Sequence, residues 1–288
     1  IWKPNVRAMT KNWLNMGLRP RAVTRDMEWG IKLPISSVEW DSKRIYVWFE
    51  AVQGYLTCSQ IWSENYSTND DDWKKWWMKS DEGIEPKHIY FMGKDNIPFH
   101  TVIWPAIIMG LNSANSGNIP SSLIQPGELV LESNVPAMEY LMLQGGQFSK
   151  SRKHAVWLPS FLEHHNPDTL RYFLSINMPE GHDTDFRWEE YVDKVNNELI
   201  GTYGNFVHRV MTLSHRLESL DGENPLSQYF NGEDNKDSMN KIQNLLNSAI
   251  NSMEKQRFKE ALRSIMNISQ IGNGLIQHSE PWQYMKLE

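Results

Sequence analysis

The chain has 288 residues, 40% hydrophobic and 22% charged, with a formal net charge of −6. That length allows two domains with sizeable cores, and the acidic balance excludes wholesale coating of nucleic acid while leaving room for a local recognition patch. The single cysteine, Cys58, excludes an intrachain disulfide and a multi-cysteine zinc site and fits a reducing, cytoplasmic setting, and no apolar run approaches the roughly 20 residues that span a bilayer.

No signal-peptide pattern is present, and a first residue of Ile1 rather than Met reads as a processed chain or a fragment. The 13 tryptophans are expected mostly in cores. Residues 1–30 are polar and basic. The aromatic and β-branched run Arg44–Phe49 predicts a buried strand. A polar loop over Ser67–Asp72 leads into a short helix, Trp73–Lys79. His88–Met92 predicts a second strand, broken at once by Gly93-Lys94-Asp95, and Pro98–Met109 a helix bent or interrupted at Pro105. Glu128–Glu132 and Tyr140–Leu143 predict two more strands. Alternating strands and helices suggest an α/β sheet with ligands at its carboxyl ends.

The character changes near residue 187. Apolar residues from Trp188 to Leu217 keep helical spacing, a Gly/Asn/Asp-rich loop covers 221–237, and two further amphipathic helices run from Ile242 to Met253 and from Phe258 to Leu275. The expected organisation is an α/β region over 1–186 and an α-helical bundle over 187–288.

Four constellations carry possible chemistry. Gly145-Gly146-Gln147-Phe148-Ser149-Lys150-Ser151-Arg152 combines glycines, hydroxyls and cations after a strand, which suits phosphate oxygens, or else makes a solvated turn. Gly93-Lys94-Asp95 offers a carboxylate at a strand end for ribose hydroxyls, or an N-cap aspartate; His100 follows, as a site or a core histidine. Trp48, Ala51 and Tyr55 frame a slot for a slender apolar side chain such as a thioether, or pack an ordinary core. Glu198, Thr202, Asn205, Arg209, Thr212 and Arg216 recur at steps of three or four as one polar stripe, able to read unpaired base edges or simply solvated. Trp282 serves as a stacking platform or caps the bundle.

In order, Leu18–Asp26, Tyr46-Val-Trp-Phe-Glu-Ala51 with Gly54-Tyr55, Phe91–His100, Phe148-Ser-Lys-Ser151, Asp168–Tyr172 and Glu280-Pro-Trp282 resemble the methionyl-tRNA synthetases, class I aminoacyl-tRNA synthetases, in their archaeal and eukaryotic form. The resemblance implies the second half of a Rossmann-like catalytic domain with its Ser-Lys-Ser loop and connecting region, then an anticodon-binding helical bundle. It implies a ligase that activates methionine with ATP and Mg2+ and transfers it to tRNA(Met). Lys150 would steady the pyrophosphate leaving group, with Ser149 and Ser151 beside it; Gly93, Lys94, Asp95 and Phe148 would hold ATP. Trp48, Ala51, Tyr55, Asn96 and His100 would form the methionine pocket. Asn205 and Arg209 would read the anticodon and Trp282 would stack on it.

Four positions depart from the family pattern: Gln147 replaces the first loop lysine, Lys153 a common glycine, Val52 a common proline and Glu50 a common aspartate. The family's HIGH motif and metal-binding insertion are not found in this sequence, so neither the structural zinc nor adenylate formation by this chain alone is expected; an upstream segment or accessory tRNA-binding domain is a possible partner. A sister ligase for Leu, Ile or Val, a non-catalytic tRNA-binding module derived from a synthetase, and an unrelated nucleotide-binding protein with a helical appendage are the alternatives.

Overall fold

A computed structural model describes residues 2–80, 82–114, 128–218 and 235–284. Most of the loop expected over 221–237 lies outside them. The chain divides into two compact units, Ile1–Met138 and Glu139–Glu288.

The first unit opens with a helix the polar sequence did not announce, α1 (Pro4–Asn15), whose Pro4 sits at the first helical position, where a missing N–H costs nothing. Its inward residues, Val6 and Thr10, are buried. Val6 packs with Ile97, Val135 and Ala137, and the Thr10 hydroxyl meets that of Thr101 at 2.8 Å. A short antiparallel pair, β1 (Thr24–Asp26) and β2 (Lys43–Ile45), follows.

The expected strand Arg44–Phe49 holds only to Ile45. Tyr46 makes the last bond between the two segments, its N–H to the Val23 carbonyl at 2.8 Å, and its own carbonyl then accepts from Phe49 and Glu50 N–H groups, starting helix α2 (Val47–Glu50). A 3-10 turn (Ala51–Gln53) leads into α3 (Gly54–Tyr66), also unexpected. Local hydrogen bonding has overridden β propensity here, as tertiary context commonly does. The short helix after the polar loop is present as α4 (Lys74–Trp77).

The strands expected at His88–Met92 and Glu128–Glu132 are mostly not ladders. The second is a lone bridge between Met78 and Leu129; the first bridges Ile89 to Asn134 and forms a ladder only as β3 (Met92–Gly93), parallel to β4 (Ala137–Met138). After β3, a 3-10 turn (Lys94–Asn96) and a π-helical turn (Phe99–Ile103) run into α5 (Trp104–Ala114), with Pro105 near that junction. The core of this unit is Val52, Trp73, Trp77, Tyr90, Trp104, Ile108 and Leu129. The tryptophans divide against expectation: Trp73, Trp77 and Trp104 are buried, whereas Trp29, Trp48, Trp62, Trp76, Trp157 and Trp188 are exposed.

The second unit begins with a three-stranded sheet in which β5 (Leu141–Leu143) lies between antiparallel β6 (Gly146–Gln147) and parallel β7 (Thr184–Phe186). Gln144 and Gly145 both take positive φ, +49° and +79°, the two-residue hairpin geometry that matches strand twist. Between β6 and β7 lie α6 (Leu158–Leu162) and α7 (Pro167–Ile176); Asn166 caps α7 by accepting from the Asp168 N–H at 2.8 Å. Leu143, Phe161, Phe173, Phe186, Tyr191 and Val195 form the core, each such side chain contributing about 1.5–3 kcal/mol on burial.

From Trp188 to Glu218 the chain is helical, as the spacing predicts: α8 (Trp188–Asp193), a π-helical stretch (Lys194–Gly204) and α9 (Asn205–Glu218). Then α10 (Lys236–Glu254) and α11 (Phe258–Ser279) pack together, and Glu280, in the left-handed region, turns the chain into α12 (Pro281–Tyr284).

Candidate functional site

In the first unit, the helical conformation of residues 47–66 places Trp48, Ala51 and Tyr55 on one face, at steps of three and four that a strand could not align. Trp48 packs on Phe99 with ring centroids 5.3 Å apart. The Tyr55 hydroxyl lies 2.9 Å from His100 Nε2, while His100 Nδ1 lies 3.0 Å from the Asn96 carbonyl oxygen. A carbonyl only accepts, so Nδ1 carries the proton and Nε2 of the neutral ring accepts from Tyr55. Burial lowers the His100 pKa, and the Asn96 carbonyl opposes that shift only in part, which keeps the ring neutral. The Asn96 backbone carbonyl thus fixes the His100 tautomer.

Tyr90, which the sequence reading did not single out, stands behind this pair. Its ring is 5.1 Å from Tyr55 and 5.6 Å from His100, and its hydroxyl accepts from Trp104 Nε1 at 3.1 Å. Burial pushes its hydroxyl pKa up to about 12. Tyr55 and Tyr90 also line an open cleft of about 1080 Å³, together with Trp76, Trp77 and His88. Glu132 is a second residue missed from sequence: burial raises its carboxyl to about 7, and its Oε2 is buried without a hydrogen-bond partner.

Gly93 ends β3, and Lys94 and Asp95 form the turn at its carboxyl end, where parallel strands present ligands. A side chain at Gly93 would meet nothing within 4 Å, so the backbone there is open to close approach.

In the second unit, the loop after β6 is a closed turn. Ser149 and His154 exchange backbone hydrogen bonds of 2.9 and 3.0 Å, and the Lys153 N–H donates to the Lys150 carbonyl at 3.1 Å. The Ser149 hydroxyl accepts from the Arg152 N–H at 3.3 Å and lies 3.2 Å from the Ser151 hydroxyl, so both serines shape the turn. Phe148 is exposed, and so is Lys150, whose ammonium has no carboxylate partner among the described residues. Lys153 adopts φ +54°, the left-handed region that favours glycine. Asp185 braces the hairpin beneath the loop: its Oδ2 accepts from the Gly145 N–H at 2.8 Å and pairs with Arg187 Nε at 2.9 Å.

The polar stripe divides in two. Between Lys194 and Gly204 the bonding is i to i+5, seen also in the Thr202 hydroxyl donating to the Asn197 carbonyl at 3.0 Å, and this shifts the phase of the helix. Glu198 therefore serves α7, accepting from the Tyr172 hydroxyl at 2.7 Å and pairing with Lys194. Burial, then the Glu198 hydrogen bond, raises the Tyr172 pKa.

Asn205 and Arg209, on α9, face α11 instead. Asn273 Oδ1 accepts from Asn205 Nδ2 at 3.3 Å and from Arg209 Nη1 at 3.5 Å, and Gln277 Oε1 accepts from Arg209 Nη2 at 3.2 Å. Asn273 Nδ2 donates to the Thr202 carbonyl at 2.9 Å. The Arg209 guanidinium lies 5.9 Å from the centroid of the Trp282 ring, a cation–π distance. The structure thus groups Asn205, Arg209 and Trp282 and adds Asn273 and Gln277, which no local signal marked.

The family described as tRNA synthetases class I (M) matches residues 1–211. Proteins named methionine–tRNA ligase are similar along nearly the whole chain: 38% identity for Roseiflexus sp. strain RS-1, covering 99% of this chain and 45% of that protein, and 40% for Chloroflexus aurantiacus, covering 99% and 46%. The Thermococcus kodakarensis protein of the same name is 38% identical, over 99% of this chain and 37% of its own length. The crystal structure of Mycobacterium tuberculosis methionyl-tRNA synthetase bound by methionyl-adenylate has the same fold, with a TM-score of 0.73 at 22% identity over 98% of this chain and 49% of that one. The chain spans about half the length, or less, of the relatives it matches. No helix among the described residues is long and apolar enough to cross a membrane, and no group of three or more His, Cys, Asp or Glu side chains among them could hold a metal ion.

Proposed function

The chain belongs to the tRNA synthetases class I (M) family, and from that premise we propose that it forms the C-terminal part of the catalytic domain (1–186) and the anticodon-binding domain (187–288) of a cytoplasmic methionine–tRNA ligase. The whole protein activates methionine with ATP and Mg2+ and transfers it to tRNA(Met). The observation that carries this reading is the grouping of Asn205, Arg209 and Trp282, two base-edge readers and a stacking ring held on neighbouring helices.

Trp48, Ala51, Tyr55 and His100 receive the methionine side chain; with the His100 Nδ1–H donated to the Asn96 carbonyl and the Tyr55 hydroxyl proton donated to His100 Nε2, the pocket favours an apolar thioether over a side chain that needs a donor. Gly93, Lys94 and Asp95 hold the nucleotide, with the Asp95 carboxylate on its ribose. Phe148 and the turn of Ser149 and Ser151 present the Lys150 ammonium to developing charge on the phosphates, electrostatic help that needs no reorganisation. The Leu, Ile and Val branches are set aside because the matched family and relatives are of the methionine type.

Filter binding of tRNA(Met) against an anticodon-substituted tRNA(Met) tests the reading on this chain. Preference for the native anticodon, lost in Trp282→Ala, is expected. Equal binding to both tRNAs would overturn it.

A further inference from the structure

His154 sits at the base of the loop that carries Lys150. Its ring Nε2–H donates to the Leu143 carbonyl at 2.8 Å, tying the end of the loop back to β5. Its backbone makes the paired bonds with Ser149 that close the loop. The imidazole also lies over Gly146, where an added Cβ would come within 3.0 Å of Nε2, so the ring has room only because that residue has no side chain. Inside the loop so closed, Lys153 is held at φ +54°. A lysine takes that conformation at a cost, and a strained turn persists only where its surroundings over-determine it.

We propose that His154 is a latch that holds the Ser149–Lys153 turn shut and so fixes where the Lys150 ammonium is presented. His154 touches no reacting atom; it is a positioning residue. The latch stands on the geometry alone, whereas its effect on catalysis rests on the ligase reading above.

The turn carries three trypsin sites, Lys150, Arg152 and Lys153, so its opening can be read on this chain by mass spectrometry of native-state cleavage. Losing one neutral hydrogen bond raises an open population about five-fold. His154→Ala, and independently Gly146→Ala, whose methyl displaces the ring, are each expected to raise cleavage at those three sites by about that factor with the far-UV circular dichroism unchanged. His154→Gln keeps an N–H donor and is expected to return cleavage towards the wild-type rate. Cleavage of His154→Ala at the wild-type rate, or no rescue by Gln, overturns the latch. In a full-length synthetase carrying the same loop, His154→Ala is expected to lower kcat of methionine-dependent pyrophosphate exchange without moving the methionine KM. An unchanged kcat overturns the positioning role, while a wild-type enzyme without exchange counts against the ligase reading and leaves the cleavage result to decide the latch.

Discussion

Gly272 lies so close to Phe206 that a Cβ added to it would come within 2.3 Å of the aromatic ring. This contact lets α9 and α11 approach until Asn273, the next residue, reaches Asn205 and Arg209. One missing methyl group thereby sets the spacing of the proposed anticodon site. Gly272→Ala is expected to destabilise the chain by about 1–3 kcal/mol through overpacking, read as a lowered urea midpoint with unchanged slope, and to weaken tRNA binding more than its stability loss explains.

Asn273 accepts from two of the proposed anticodon readers and donates to a backbone carbonyl. Asn273→Ala removes all three bonds without crowding anything. Binding of tRNA(Met) is expected to weaken about ten-fold, with discrimination between anticodons reduced, as measured by filter binding. An Arg209→Lys variant should fare no better, because a single ammonium cannot span Asn273 and Gln277 as the guanidinium fork does.

His100 and Glu132 give opposite dependences of stability on pH. The folded-state pKa of His100 is depressed, so the unfolded chain binds the proton more readily, and stability falls as pH drops below the unfolded value of about 6.5. Glu132 is raised from 4.5 to about 7, so the folded chain binds its proton more readily between those values, and stability falls as pH rises through that window. Glu132→Gln is expected to stabilise the chain at pH 8 by about 1–3 kcal/mol and to do much less at pH 4. His100→Gln is expected to flatten the acid side of the profile. Urea melts across pH 4–8 check both; a Glu132→Gln gain that does not grow with pH would refute the buried carboxylate.

Lys150 is exposed and unpaired by any carboxylate among the described residues. In a full-length enzyme bearing these residues, Lys150→Ala is expected to lower kcat of pyrophosphate exchange by about 10²–10³ with little change in methionine KM, the pattern for an interaction made mainly in the transition state. The 288-residue chain by itself contains no His-x-Gly-His segment and is expected to give exchange at background.

Local motifs are legible in the sequence, and long-range approach is not. The Ser-Lys-Ser turn, the Gly-Lys-Asp turn and the Trp48, Ala51, Tyr55 set all stand out from local residue types. Trp48 nonetheless falls inside a predicted strand, because Arg44–Phe49 is rich in β-formers while the deciding bonds, Phe49 and Glu50 to the Tyr46 carbonyl, are backbone bonds that side chains do not announce. Asn273 and Gln277 could not be read at all. They lie 64 to 68 residues from Asn205 and Arg209, and only the close helix crossing at Gly272 joins them. The apparent unity of the stripe from Glu198 to Arg216 failed for a related reason: constant spacing assumes constant pitch, and the π-helical stretch breaks it.

The π-helical turn at Phe99–Ile103 has a consequence for how this segment can vary in length. It carries one more residue per hydrogen-bonded ring than an α-helix, and His100 lies within it. Removing one residue there would let the backbone relax into an ordinary helix continuous with α5, a gain for the fold. The same deletion would rotate the preceding residues by about 100° about the helix axis and carry the imidazole away from Tyr55. Fold and the proposed methionine pocket therefore make opposite demands on the length of this turn.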